Sequence, residues 1–324
     1  MNLRTEIIPE KFDFEINHAH KILTLGSCFS EVVGNALCGS KFTVCSNPFG
    51  AVYNLKSIFE LVKVSLGRKE INEDWIVERD GVHFHHGYHS EFYDFTKEGL
   101  LLKIQDVSKG VSEYIQESEM ILITLGTSWV YEKQGEVVSN CHKFPSSGFS
   151  KRLLGYEEQK EMLDGLIHMI QTVNPKVKLI FTVSPVRHVK DGLVENNVSK
   201  SILRILCDYA IHAYASVYYF PSYEIMIDDL RDYRFYKSDL IHPSDLAEKY
   251  IVTLFSKSIF SEKTRRIIED WGKIRMALNH RPLHVNSNAH KSFLVALHGK
   301  IEGFKPVFDV TEELIEVSSK LQRT

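Results

Sequence analysis

Short, mostly apolar runs that each end in a turn of small residues constrain this chain more than any other feature. Residues 21–25 (KILTL) lead into Gly26-Ser27, residues 120–125 (MILITL) into Gly126-Thr127-Ser128, and residues 177–183 (VKLIFTV) into Ser184-Pro185. A fourth run, residues 216–220 (SVYYF), stops at Pro221. Runs this short and this apolar suit central strands of a parallel sheet, buried on both faces. Helical periodicity fills the intervals. Residues 157–173 align Met162, Leu166, Met169 and Ile170 on one face, and residues 198–214 align Ile202, Ile205 and Tyr209. The alternation predicts a three-layer α/β/α sandwich with a mainly parallel sheet, whose ligands gather at the carboxyl ends of the strands. Those ends are where the small polar turns stand.

Residues 74–103 break the pattern with alternating and aromatic residues and predict a hairpin-like insertion. Beyond residue 260 the chain reads as helices, with residues 265–278 and 290–301 as candidates. The expected organisation is one domain over residues 1–259 and a helical extension, residues 260–324, packed on it. Composition excludes other classes. With 44% hydrophobic and 25% charged residues the chain is neither disordered nor fibrous. Lys and Arg (39) nearly balance Asp and Glu (42) without a long run of either sign, which argues against nucleic acid or an anionic membrane surface as partner. The five cysteines lack a CxxC pair, so neither a disulfide framework nor a zinc knuckle is expected. The first residues lack a signal-peptide core, and no apolar stretch is long enough to span a bilayer; a cytoplasmic location is the expectation.

Gly26-Ser27 at a strand end, before a helix-like stretch, would expose a serine hydroxyl among the N–H groups of a helix start, donors able to hold an oxyanion. The same place suits an ordinary turn. Cys28 is a rival nucleophile, but successive residues of such a turn point apart, and a structural role fits it better. A serine nucleophile needs a base and the base an orienter. Asp239-Leu240-Ile241-His242 precedes a helical run, and an Asp three residues before a His can hold the imidazole Nδ1–H and leave Nε2 for a distant serine.

Taken together, Gly26-Ser27 early and Asp239-x-x-His242 late resemble the SGNH (GDSL-type) hydrolase superfamily. Gly26-Ser27-Cys28-Phe29-Ser30 is further similar to the signature of the GSCFA-domain family. Also similar to it are Asn47-Pro48-Phe49-Gly50, Thr124-Leu125-Gly126-Thr127-Ser128-Trp129, Ser184-Pro185-Val186-Arg187-His188 and Arg231-Asp232-Tyr233-Arg234-Phe235-Tyr236. The resemblance, spanning about residues 20–290, implies Ser27 as nucleophile, His242 as general base and Asp239 as its orienter. It implies an oxyanion hole of the Ser27 N–H, the Gly50 N–H and an asparagine; that position falls on Ser128, so Ser128, Trp129 or Asn47 would have to substitute. The implied activity is a serine esterase or acyl hydrolase, with a carbohydrate O-acetyl ester as the guess for substrate and no cofactor or metal required. A catalytically weak glycan- or acyl-binding protein and an O-acyltransferase are the alternatives.

Other clusters near strand ends are read more narrowly. His83, His85, His86 and His89 invite a metal hydrolase, but in an extended strand only His83 and His85 share a face. His89 and Ser90 could line a substrate site, a role the resemblance favours. Arg187 and His188 would point into the same mouth, Arg187 binding a carboxylate or sugar-linked acid, or else capping neighbouring carbonyls or pairing with Asp191. Asn196 and Ser199-Lys200 read as a helix start. Arg231, Asp232 and Arg234 read as a salt-bridged loop holding the Asp239–His242 segment. Tyr218, Tyr219, Phe220, Phe92 and Tyr93 read as packing. The oligomeric state is left open.

Overall fold

The structure, a computed structural model, describes residues 4–322. In chain order its principal elements begin with β1 (Lys21–Gly26), α1 (Cys28–Gly39), β2 (Thr43–Ser46) and α2 (Leu55–Ser65). Strands β3 (Ile76–Arg79), β4 (Val82–His85) and β5 (Tyr93–Asp94) precede α3 (Lys97–Glu117) and β6 (Met120–Leu125). Then come β7 (Trp129–Lys133), β8 (Glu136–Val138), β9 (Ser150–Leu153), α4 (Tyr156–Val173), β10 (Lys178–Val183), α5 (Leu193–Ala213) and β11 (Val217–Tyr219). A short helix, α6 (Ser222–Glu224), runs on through a π-helical turn (Ile225–Asp229) and a loop to α7 (Asp245–Ile259), and α8 (Glu262–Leu278), α9 (Asn288–Glu302) and α10 (Thr311–Gln322) follow.

The four apolar runs, with β2 added at one edge, form a five-stranded sheet in the order β2-β1-β6-β10-β11, every pair parallel. All six side chains of β6 are buried, as a central strand with helices on both faces requires. Their two-residue alternation divides the core. Leu23, Leu25, Ile121 and Ile123 face one side with α2, α3, α4 and α5. Ile22, Met120, Leu122 and Ile180 face the other with α1 and α7. Burying each such side chain contributes about 1.5–3 kcal/mol. The predicted three-layer α/β/α sandwich is the fold. The direction of strand order reverses between β1 and β6, so the crevice at their carboxyl ends is the sheet's topological switch point.

Details differ from the sequence reading. The hairpin insertion is the small antiparallel sheet β3-β4-β5, and it ends earlier than residue 103 because Thr96 caps α3 by accepting the Gly99 N–H at 3.0 Å. A second small sheet, β8-β7-β9, lies just after Gly126-Thr127-Ser128, where the sequence pattern predicts none. Helix α5 starts at Leu193 behind Gly192, so Asn196, Ser199 and Lys200 are not its cap but buried residues of its first turns. Its inward face is Leu203, Leu206, Cys207 and Ala210, while Ile205 is exposed. Helices α8, α9 and α10 surround a separate apolar cluster around Trp271 and Ile301. They meet the main domain where Lys41 pairs with Glu313 at 2.7 Å and His18 stacks on Phe42 with Phe308 nearby.

Candidate active site at the switch point

Gly26 ends β1 in a conformation only glycine adopts freely, φ +124°, and a Cβ there would lie 2.2 Å from the Thr124 carbonyl oxygen. The turn delivers Ser27 as the N-cap of α1. Serines cap helices by accepting an N–H two or three residues on, as Ser244, Ser261 and Ser287 do for α7, α8 and α9. Ser27 does not. Its hydroxyl is buried without any hydrogen-bond partner, and an orphaned buried hydroxyl costs about 1–3 kcal/mol. The neighbouring Cys28 faces the cleft above, its thiol pKa raised by burial.

The loop before α7 is folded by its own backbone. The Lys237 N–H donates to the His242 carbonyl at 2.8 Å, and Tyr236 bridges Pro243. Asp239 is fixed within it: Oδ1 accepts the N–H groups of Ile241 and His242 at 2.9 and 3.0 Å, and Oδ2 meets Nδ1 of His242 at 2.7 Å. The His242 ring, then its backbone N–H and that of Ile241, hold the Asp239 carboxyl down to about 2. His242 therefore presents Nε2 outward, in the wall of the cleft. No hydrogen bond joins it to Ser27, whose hydroxyl lies buried and is not part of the cleft wall. The stretch holding Arg231, Asp232 and Arg234 is salt-bridged as expected, but the bridge does not reach the Asp239–His242 segment. Asp232 pairs with Arg234 in solvent, two residues away, and the backbone carries the loop.

Three of the anticipated oxyanion donors are already spent. The Ser27 N–H donates to the Thr124 carbonyl at 3.0 Å, as a continuation of the sheet, and the Gly50 N–H closes a turn on the Asn47 carbonyl at 2.8 Å. The Ser128 N–H donates to Ser199 Oγ at 2.7 Å and its hydroxyl to the Ser199 carbonyl at 3.1 Å. Ser128 braces α5 against the strand end and has no donor left. Asn47 differs. In a left-handed conformation, φ +45°, it accepts the Gly26 N–H on Oδ1 at 3.0 Å and keeps Nδ2 buried without an acceptor. The N–H groups of Cys28 and Phe29 open α1 and have no acceptor within it.

Lys200 is a charged group of this floor that the sequence reading misses. It is fully buried, donates to the carbonyls of Gly126 and Ser184 at 2.7 Å each, and burial lowers its pKa to about 7. The Ser199-Lys200 pair is visible in sequence, but only the inward turn of α5 shows what it touches.

Above this floor is a cleft of about 580 Å³ walled by Tyr53, Trp129, Arg187, His188 and His242 among others. His188 is held neutral, its pKa lowered to about 3 by burial and then by the charges of Lys200 and His242, and its Nε2 has no partner. Trp129 Nε1 is likewise unpartnered. Arg187 does not pair with Asp191, which Lys151 takes; it lies over the rings of Tyr236 and Tyr233 at 4.1 and 5.2 Å. His89 and Ser90 stand outside the wall: His89 packs on Gly50, and Ser90 Oγ is 3.3 Å from His142 Nδ1. The other histidines of that stretch are tied locally. His85 accepts the Gly87 N–H and donates to Asn72, and His86 bonds Asn140 and Lys133. Among the described residues no three His, Cys, Asp or Glu side chains converge as a metal site, and no helix is long and apolar enough to cross a membrane.

Solved structures similar to this chain include a family 3 carbohydrate esterase of Clostridium thermocellum, 13% identical, covering 74% of this chain and 94% of its own, TM-score 0.35. A carbohydrate esterase family 2 enzyme with its carbohydrate-binding domain, from Corynascus thermopiles (Myceliophthora fergusii), is 9% identical over 76% of this chain and 67% of its own, TM-score 0.41. An acetyl xylan esterase of Butyrivibrio proteoclasticus is 10% identical over 75% and 63%, TM-score 0.37. No curated protein matches the sequence. The GSCFA family matches residues 21–255, and the C-terminal domain of GSCFA domain proteins matches residues 271–323. With most of its length inside those two matches, the chain belongs to the GSCFA family.

Proposed function

We propose that the protein is a serine-dependent esterase that uses Ser27, His242 and Asp239. The observation that carries this reading is the Ser27 hydroxyl: a helix N-cap at the switch point that caps nothing and bonds nothing, beneath a cleft whose wall holds an imidazole already oriented by a carboxylate. Catalytic hydrogen bonds commonly tighten only when substrate is bound, and in this mechanism the loop carrying His242 closes toward Ser27. Nε2 takes the hydroxyl proton as Oγ attacks the ester carbonyl. The tetrahedral oxyanion accepts from Asn47 Nδ2 and from the opening N–H groups of α1, unspent donors beside the Ser27 turn. The C–O bond to the alcohol breaks, the imidazolium returns its proton to the departing oxygen, and acyl-Ser27 remains. Water, deprotonated by His242, then releases the acid and restores the hydroxyl. The wall is rich in aromatic rings, among them Tyr53, Trp129 and Tyr131, the kind of surface a sugar ring stacks on, so a carbohydrate ester is the proposed substrate.

Labelling with a fluorophosphonate followed by peptide mapping tests the reading: modification at Ser27 is expected, and labelling elsewhere or none overturns it. The lack of a hydrogen bond between Ser27 and His242 favours a second reading, a ligand-binding protein with little turnover. A panel of aryl esters separates the two, since hydrolysis present in the wild type and lost in Ser27→Ala belongs to the enzyme alone.

A further inference from the structure

The charges around the cleft are unbalanced. Lys143, Lys151, Arg187 and Lys190 line it against one carboxylate, Asp191, which is spent on Lys151. Asp239, behind His242, is spent on that ring. This excess sits on a chain whose net charge is −3, so it is a local feature and not a reflection of composition.

Arg187 is the group best prepared to use it. Its guanidinium is stacked at 4.1 Å from the ring of Tyr236, which limits its rotamers. Its backbone N–H donates to the Ile241 carbonyl at 3.2 Å, so it is tied to the residue before His242. Among the described residues no carboxylate lies within ion-pair distance of it and no side-chain acceptor takes its N–H groups. A planar fork of donors, held in place beside the candidate base and left without an acceptor, is the arrangement that recognises a carboxylate bidentately. Lys190, over the ring of Tyr131 at 5.5 Å and without an ion pair among the described residues, adds a second unpaired cation.

We infer that the ester accepted in this cleft is an anionic one, an acyl ester of a carboxylate-bearing alcohol such as an acidic sugar, with Arg187 holding the carboxylate while the ester carbonyl meets Ser27. The inference rests on the esterase reading for its chemistry, but not for its binding step. The excess of positive charge also draws such substrates in before contact.

The test compares 4-acetoxybenzoate with its neutral isostere 4-acetoxybenzamide. The wild type is expected to favour the anion in kcat/KM by about tenfold or more at low ionic strength, and to lose most of that preference at about 1 M salt, where the Debye length is about 3 Å. Arg187→Gln is expected to bring the ratio to within about twofold of one, Arg187→Lys to keep part of it, and Lys190→Gln to reduce it less. A wild-type ratio near one, or a ratio that survives Arg187→Gln, overturns the inference. Should neither ester be cleaved, the esterase reading fails and the inference is read by calorimetry of 4-hydroxybenzoate and 4-hydroxybenzamide. Tighter binding of the anion, lost in Arg187→Gln, then supports it, and equal binding overturns it.

Discussion

Two hollows of this molecule, both lined by charged and aromatic residues, treat charge differently. The one between α2 and the small sheets, about 330 Å³ with Trp75, His85 and Tyr88 in its wall, has more carboxylates than cations. Every cation there is matched: Lys56 and Lys69 on Glu60, Arg152 on Glu132 and Glu158. Burial alone would raise the Glu60 pKa, but Lys56 and Lys69 outweigh it and hold it at about 2. The cleft at the switch point keeps its polar groups unspent: Arg187 without a carboxylate, His188 Nε2 and Trp129 Nε1 without partners, and Ser27 Oγ bare beneath it. A hollow whose every cation is paired within its own wall is accounted for by stability. The first hollow also holds unpartnered atoms, Ser57 Oγ and Tyr88 Oη, but no free cation among the described residues. What distinguishes the switch-point cleft is an unpaired guanidinium beside an oriented imidazole, the mark of a candidate site.

The sharpest break of this contrast is Ser27→Ala, expected to lower aryl-ester turnover by about 10⁶-fold while leaving the fold intact; unchanged turnover would remove the switch point from the chemistry. Next is Asp239→Asn, which keeps the loop but allows the wrong His242 tautomer. About 10⁴-fold is expected in kcat, and a loss below tenfold would show that His242 needs no orienter. Gly26→Ala drives a Cβ into the Thr124 carbonyl and should destabilise the chain by about 3 kcal/mol or more, read as a lower urea midpoint.

Lys200 gives a smaller, pH-dependent effect. Its folded pKa of about 7 lies below the unfolded value of 10.5. Between those values the unfolded chain binds the extra proton, so stability rises with pH across that window, by up to about 1.4 kcal/mol per pH unit. Urea melts from neutrality upward should show the wild type gaining on Lys200→Met by roughly that slope; parallel curves would mean the ammonium is not desolvated. The smallest effect belongs to the other hollow. Lys69→Gln should leave ester turnover within about twofold of wild type, and a large loss would relocate the site.

Much of the fold was legible in sequence because a central parallel strand writes itself as an unbroken apolar run, and MILITL at β6 is buried at every position. The Asp239–His242 pair was legible for a related reason: three residues apart, the two meet through local backbone geometry. The small sheet β7–β9 was not, since Trp129↔Leu153 pairs residues far apart in the chain and neither strand has an apolar run to announce it. Reading Ser199-Lys200 as a helix start failed for the opposite reason. Local propensity favours a serine cap, but α5 begins earlier and turns both residues into the core.

The sequence by itself determined the strand ends, the glycine turn before Ser27 and the pairing of Asp239 with His242, since each depends on neighbours within a few residues. Only the tertiary structure decided which polar groups are left over. Gly50 and Ser128 carry donors that the sequence offers to an oxyanion, yet Asn47 and Ser199 consume them, while Asn47 Nδ2, Arg187 and His188 remain open. Hydrogen-bond satisfaction is a property of the whole packed molecule: each donor is spent or spared according to which distant segment folds against it.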